Sequence, residues 1–348
     1  MNPAENFLTQ IPQRRGLAFE QSAVKRAIDP VIVEKEFWVC WLLGVLFAIP
    51  ELAPHLVFKG GTSLSKVFGV IDRFSEDVDV SVSPAFIGAD PDRFGKSVSR
   101  TKRDIAMAEM QVLCGKMVEN TIRPILEAAI QRVLNVQAIS GSWLNYEMDA
   151  QARSPVLYFH YPTTSPADLP YVRRTVKLEL GSITDQQPIG SHPIKPWVAE
   201  DFPAVFQDWK CEVTALELPR SFWEKATILH AEYYRPEDQA IPDRYARHYS
   251  DFARLLAHRD AETLIADIAL AERVVEWKNR LFARGWARYD LAKHGDFRLV
   301  PPAGRVAELE RDYRAMRPLF LNEPPVFARI MEQLVVAESK INSLQRIA

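Results

Sequence analysis

The sequence predicts an α+β fold, with a mixed sheet within residues 1–210 and a mainly helical domain over 211–348. Three observations predict it. Three segments with strand patterning, PVLYFHYP, RRTVKLELGSI and CEVTALEL, lie close together between Pro155 and Leu218. From Ser221 onward the apolar residues recur at helical spacing, interrupted by the proline-rich FRLVPPAG and FLNEPPVF. The stretch FKGGTSLSKVFGVIDRFSEDVDV, Phe58 to Val80, reads as a strand end, a glycine turn, a helix and a second strand.

Taken in order, DPVIVEKEFWVCWLLGVLFAI predicts a helix with Asp29 as N-cap and Pro30 in its first turn. HLVFKGG is a short strand ending on glycines. TSLSKVFGVI fits a helix of roughly three turns, and DVDVSV alternates like a strand with one buried face. A charged helical stretch is expected from Asp92 to Leu134, followed by the three strands. The boundary between the halves falls between residues 205 and 220, and no internal repeat or low-complexity tract is present.

Composition narrows the classes of function. A chain of 348 residues with 47% hydrophobic side chains can bury one large core or two ordinary ones. A net charge of −2 advertises no global basic field, although a local basic patch is compatible with it. Cys40, Cys114 and Cys211 are widely spaced, which suits a reducing compartment and argues against a zinc or disulfide framework. The longest apolar run, Phe37 to Pro50, is shorter than the ~20 residues that span a bilayer. A soluble, cytoplasmic protein with no membrane partner is the expectation.

The Phe58–Val80 stretch carries the chemistry. Glycines let the backbone approach an anion, and a helix N-terminus favours negative charge. Lys59, Gly60, Gly61, Thr62, Ser63 and Lys66 are therefore the candidate nucleotide-binding residues, with Arg73 either paired to Glu76 or Asp77 or set against phosphates. In a strand, Asp77 and Asp79 point to the same face. Two carboxylates that close repel unless a cation lies between them, and Mg²⁺ or Mn²⁺ takes oxygen ligands of this kind.

A phosphate turn, a helix and then Asp-x-Asp resembles the nucleotidyltransferase superfamily related to DNA polymerase β. That superfamily needs a third carboxylate on a neighbouring strand. TVKLELGS supplies Glu179, with Val176, Leu178 and Leu180 on the opposite face. Together VEKEFWVCWLL, the Phe58–Val80 stretch, VKLELGS, WEKATILH and RYARHYSDFARLL resemble the AbiEii/AbiGii nucleotidyltransferase toxin family. The resemblance implies a polymerase-β-like core fused to a helical domain, with nucleotide transfer from an NTP and release of pyrophosphate. It also implies an RNA acceptor, tRNA in the wider group, and a cognate antitoxin. Asp77 and Asp79 match its metal-binding pair, Glu179 is the candidate third ligand rather than part of an ordinary exposed strand edge, and Lys225 and Asp251 match its later lysine and aspartate motifs. Where that last motif often carries an earlier acid, this chain has His248.

Read from the residues alone, SFWE at Ser221–Glu224 is a capping box. Tyr245, Tyr249, Phe252 and Leu256 form a buried stripe, leaving Arg244, Arg247, His248 and Asp251 on the remaining surface. The stretches RTKRD, RSFWEKATILHAEYYR, RYARHYSDFAR and WKNRLFARGWARY interleave basic and aromatic residues. They mark Arg244 and Arg247 as RNA contacts. Two other readings stay open at this level: nucleotidylation of a protein hydroxyl by the same chemistry, and an NTP-sensing module without transfer.

Overall fold

A computed structural model describes residues 4–95, 97–134, 141–149, 153–164, 172–282 and 285–344. The chain forms two compact units. The first comprises Met1–Val67, Phe74–Arg93 and Ile105–Leu216, and the second Phe68–Arg73, Phe94–Asp104 and Glu217–Ala348. The chain thus enters the second unit twice before it settles there.

The first unit opens with helices α1 (Glu5–Leu8), α2 (Pro12–Arg26) and α3 (Pro30–Phe47). Strand β1 (Leu56–Lys59), helix α4 (Gly60–Lys66) and strand β2 (Asp77–Val82) follow, then helices α5 (Arg100–Met117) and α6 (Arg123–Leu134). Strands β3 (Leu144–Met148), β4 (Pro155–Phe159), β5 (Val176–Gly181) and β6 (Ile189–Pro193), helix α7 (Trp197–Asp201) and strand β7 (Glu212–Leu216) complete it. The strands form one mixed sheet in the order β3-β4-β5-β2-β1-β7-β6. Strand β2 lies at its centre, antiparallel to β1 and parallel to β5.

Helix α3 is apolar on every side, so it is buried on every side. Asp29 caps it as expected, accepting from the Val31 amide at 2.8 Å. Around it the rings of Phe7, Phe19 and Phe37 pack edge-on, and Trp41 stacks on Phe159 of β4. Three charged residues are buried inside this apolar helix, and each has a polar partner. Glu34 accepts from the hydroxyls of Thr163 at 2.7 Å and Thr164 at 2.8 Å. Lys35 donates to Glu76 at 2.5 Å and to the Arg173 carbonyl at 2.8 Å. Glu36 pairs with Lys66 and accepts from the Trp197 amide at 2.9 Å.

Removing one member of such a pair leaves the other charge buried without compensation. Glu36→Ala is therefore expected to destabilise the protein by about 3–5 kcal/mol in a urea titration. A loss below about 1 kcal/mol would mean that Lys66 reaches water or another acid.

The second unit is helical: α8 (Leu218–Tyr233), α9 (Arg247–Leu256), α10 (Ala261–Ala266), α11 (Ile268–Leu281), α12 (Ala303–Ala315) and α13 (Phe327–Ser343). Phe222, Trp223, Phe252, Phe297 and Leu334 are among its buried side chains. Glu224 of α8 pairs with Arg220 of the same helix at 2.7 Å and with Lys278 of α11 at 2.5 Å. Burial alone would raise the Glu224 carboxyl, but the two cations hold it down to about 2.

Several expectations need correction. Helix α4 ends at Lys66, short of three turns. The helical stretch expected over 92–134 opens with a short 3₁₀ turn at Pro91–Phe94, is α-helical only from Arg100, and is broken again by a π-helical turn at Val118–Ile122. Helix α8 begins at Leu218 with Pro219 in its first turn, so Ser221 is an interior residue and no capping box forms. Strands β3 and β6 escaped the sequence reading because both are edge strands with largely exposed side chains, which leaves little alternation to see. No described helix is long and apolar enough to cross a membrane.

Candidate active site

The central strands align the acids. Asp79 on β2 stands opposite Lys59 on β1 and opposite Glu179 on β5. Asp77, two residues earlier on the same face, stands opposite Lys177. Directly opposed residues share a face, so Lys59, Asp79 and Glu179 form one row, with Asp77 and Lys177 in the next. On β5, Val176, Leu178 and Leu180 are fully buried on the other face, the alternation expected from the sequence.

The acids crowd one another. Burial, then Asp79 and Glu76, push the Asp77 carboxyl up to about 6. Two lysines moderate the cluster: Lys177 bonds Glu179 and lies 3.6 Å from Asp149, and Lys59 lies 4.0 Å from Asp79. Among the described residues no three acid, histidine or cysteine side chains converge closely enough to cage an ion alone. The donor set still fits a hard divalent cation. It offers carboxylate oxygens on one open face, and mutual repulsion that such an ion would relieve.

The glycine turn is shaped by the same acids. Gly60 has φ +83°, and a Cβ placed there would lie 2.1 Å from Asp79 Oδ2. A side chain at Gly60 would strain the backbone and displace the carboxylate together. Gly60→Ala is expected to lower transfer at least tenfold, with a smaller loss of stability. Unchanged turnover in a folded variant would show that the Asp79 carboxylate has room to move.

The hydroxyls and the second lysine of the turn face inward. Thr62 donates to the Asp77 carbonyl, and its Oγ1 lies 2.9 Å from Ser75 Oγ, which ties the turn to β2. Ser63 is fully buried, and its hydroxyl has no hydrogen-bond partner among the described residues. Lys66, expected to face phosphates, is paired with Glu36 beneath α4, its ammonium 5.3 Å from the Trp197 ring centre. What remains at the surface is Lys59 and the Gly60–Gly61 backbone.

Arg73, Lys225 and Asp251 come together in the second unit. Arg73 Nε and Nη2 donate to the two oxygens of Asp251, both at 2.8 Å, and Lys225 Nζ donates to Oδ2 at 2.7 Å. Asp251 was expected on the helix surface but is 1% exposed, because two cations replace its hydration. Arg73 pairs with Asp251, and its guanidinium is buried. His248 Nδ1 lies 3.3 Å from Lys225 Nζ, and burial followed by Lys225 pushes the imidazole well below its ordinary range. This histidine stands neutral where an acid was expected from the resemblance.

The basic-aromatic residues divide. Arg244 is exposed, with a left-handed backbone whose amide donates to Asp312 at 2.7 Å, and Arg247 is half-buried at the start of α9. Arg220 is fully buried on Glu224, and Arg235 is held by Glu232 over the Trp286 ring, so both are internal supports. Ala283 and Arg284 of the last run lie outside the described residues. Sequence reasoning assigned no role to Lys35 and Glu36, which anchor the residue beside Asp77 and the helix of the turn. Their signal was present: three consecutive charges inside an otherwise apolar helix.

An acid row on a central strand pair, beside a strand–Gly-Gly–helix turn, is the layout of a nucleotidyltransferase. The model of the nucleotidyl transferase AbiEii toxin family, of type IV toxin–antitoxin systems, matches residues 41–333. The chain belongs to that family and is a nucleotidyltransferase toxin of this kind, whose systems pair it with an antitoxin. Its fold is similar to that of MenT4, a nucleotidyltransferase toxin from Mycobacterium tuberculosis H37Rv. The TM-score is 0.51 at 15% identity, covering 95% of this chain and 90% of that one. No curated protein matches.

Proposed function

We propose that the protein transfers a nucleotide from an NTP to RNA, with tRNA as the acceptor, in a reaction that needs Mg²⁺. The observation that carries this reading is the row of Lys59, Asp79 and Glu179 on three adjacent strands, with Asp77 beside it. Asp77, Asp79 and Glu179 would hold the metal, which supplies charge neutralisation for the reacting phosphate and the attacking oxygen. Lys59 and the Gly60–Gly61 backbone bind the triphosphate. Lys177 orients Glu179 through their ion pair. The acceptor hydroxyl passes its proton to the Glu179 carboxylate as its oxygen bonds to the α-phosphorus. The bond from the α-phosphorus to the bridging oxygen breaks, and pyrophosphate leaves. In-line displacement requires the hydroxyl to approach opposite the leaving group. With pyrophosphate toward β1 and its turn, the acceptor approaches from β5, where Glu179 accepts its hydrogen bond.

The test is incubation of purified protein with each α-labelled NTP, Mg²⁺, total RNA and total protein. Label is expected in RNA of tRNA size, only with divalent metal. Label in protein alone would overturn the RNA assignment, and label in neither would overturn the transferase reading for these substrates.

A further inference from the structure

Beyond the acids, the same face of the sheet continues into a groove. Tyr158 on β4 stands directly opposite Lys177 and Asn145, extending the Asp77–Lys177 row by two strands. At about 4.8 Å between strands, Tyr158 is two strands, on the order of 10 Å, from Asp77. An open groove of about 530 Å³ is lined here by Asn145, Glu147, Tyr158, His160, Arg173 and Thr175, among others. That is within the range of clefts that hold small organic ligands. Its contents are unusual for an ordinary sheet edge. His160 Nε2 is buried without a hydrogen-bond partner among the described residues, while Arg173 is exposed on a backbone fixed by Lys35.

Charge and direction select the occupant. Glu147 and Asp149 set acid beside Arg173 and Lys177, so the groove does not suit a triphosphate. A planar base with one phosphate suits it better. The groove also lies on the β5 side of the acids, opposite the glycine turn, where in-line attack places the incoming hydroxyl.

We infer that this groove receives the terminal, unpaired nucleotide of the acceptor RNA strand. Its base stacks on Tyr158, with Asn145 and Glu147 at the base edge. His160 Nε2 bonds an oxygen of the ribose, and Arg173 grips the adjoining phosphate. The assignment rests on the RNA reading above and adds the subsite and its chemistry to it.

Steady-state transfer by Tyr158→Ala, Tyr158→Phe and Arg173→Glu, with acceptor RNA and NTP varied separately, tests it. Loss of one base stack is roughly a ten- to hundredfold effect. Tyr158→Ala and Arg173→Glu are expected to raise the KM for RNA by that factor, with the KM for NTP within threefold of wild type. Tyr158→Phe, which keeps the ring, should behave as wild type. An unchanged RNA KM in both folded variants, while wild type modifies RNA, overturns the groove assignment alone. An equal rise in both KM values makes the groove part of the nucleotide pocket and overturns it too. If wild type labels no RNA, the RNA reading fails and takes the groove's occupant with it.

Discussion

Asp77→Asn is expected to abolish nucleotide transfer and, at the same time, to make the protein more stable. The loss follows from the metal-holding role proposed for this acid: removing its charge would forfeit several kcal/mol of transition-state stabilisation, at least a thousandfold in rate. The gain follows from crowding, because burial and the neighbouring Asp79 and Glu76 hold the Asp77 carboxyl up at about 6. Below pH ~4 it is protonated whether the chain is folded or not. Between ~4 and ~6 it keeps its proton only in the folded protein, and above that its ionisation costs the fold about 2–3 kcal/mol. The stabilisation by Asn should therefore be full above pH ~6 and absent below ~4 in the metal-free protein. Divalent metal should stabilise wild type far more than the variant. Equal stability of the two proteins at pH 7.5 without metal would show that Lys177 and Lys35 already neutralise the cluster.

The second large effect is expected at Asp251. Replacing it by Ala leaves Arg73 and Lys225 buried without their carboxylate, a loss of about 3–5 kcal/mol or more. Nearly all of the carboxylate's surface is enclosed, so solvent cannot step in. The pairing with Arg73 and Lys225 holds its pKa far below the ordinary carboxylate range. Its stabilisation is present above pH ~4 and declines as pH falls below that. Replacing all three with apolar residues of similar size should destabilise much less than Asp251→Ala alone. Chemical unfolding measured beside transfer separates support of the fold from chemistry. A folded Asp251→Ala of wild-type stability that no longer transfers would place Asp251 in the reaction instead.

What could be read from the sequence was local. Asp77, Asp79 and Glu179 were placed on exposed faces by strand alternation, a period-two signal within five or six residues, and the sheet aligns them in register. Asp29 as a cap was legible for the same reason. Burial of Asp251 was not, because its partner Arg73 is 178 residues away and an amphipathic-helix reading assigns a charge to the surface by default. Lys66 was read as a phosphate ligand because its acid, Glu36, lies 30 residues earlier, and nothing local to the turn points to it. Thr62 and Ser63 turn inward because α4 packs its first turn against β2, which no spacing rule encodes. Gly60 was legible as special, but as an approach to an anion from outside. The structure adds an anion of the protein's own, Asp79.

The most direct test of the central claim, that the three acids in register on β2 and β5 carry out transfer rather than merely bind nucleotide, is single-turnover transfer by Glu179→Gln. NTP affinity is measured on the same protein by calorimetry. Glu179 is half-buried, and its substitution leaves Lys177 still paired with Asp149, so the fold should persist. NTP affinity is predicted to stay within about threefold of wild type while transfer to RNA falls at least a thousandfold. Transfer at the wild-type rate by the folded variant would contradict the assignment of Glu179 and, with it, the three-acid centre.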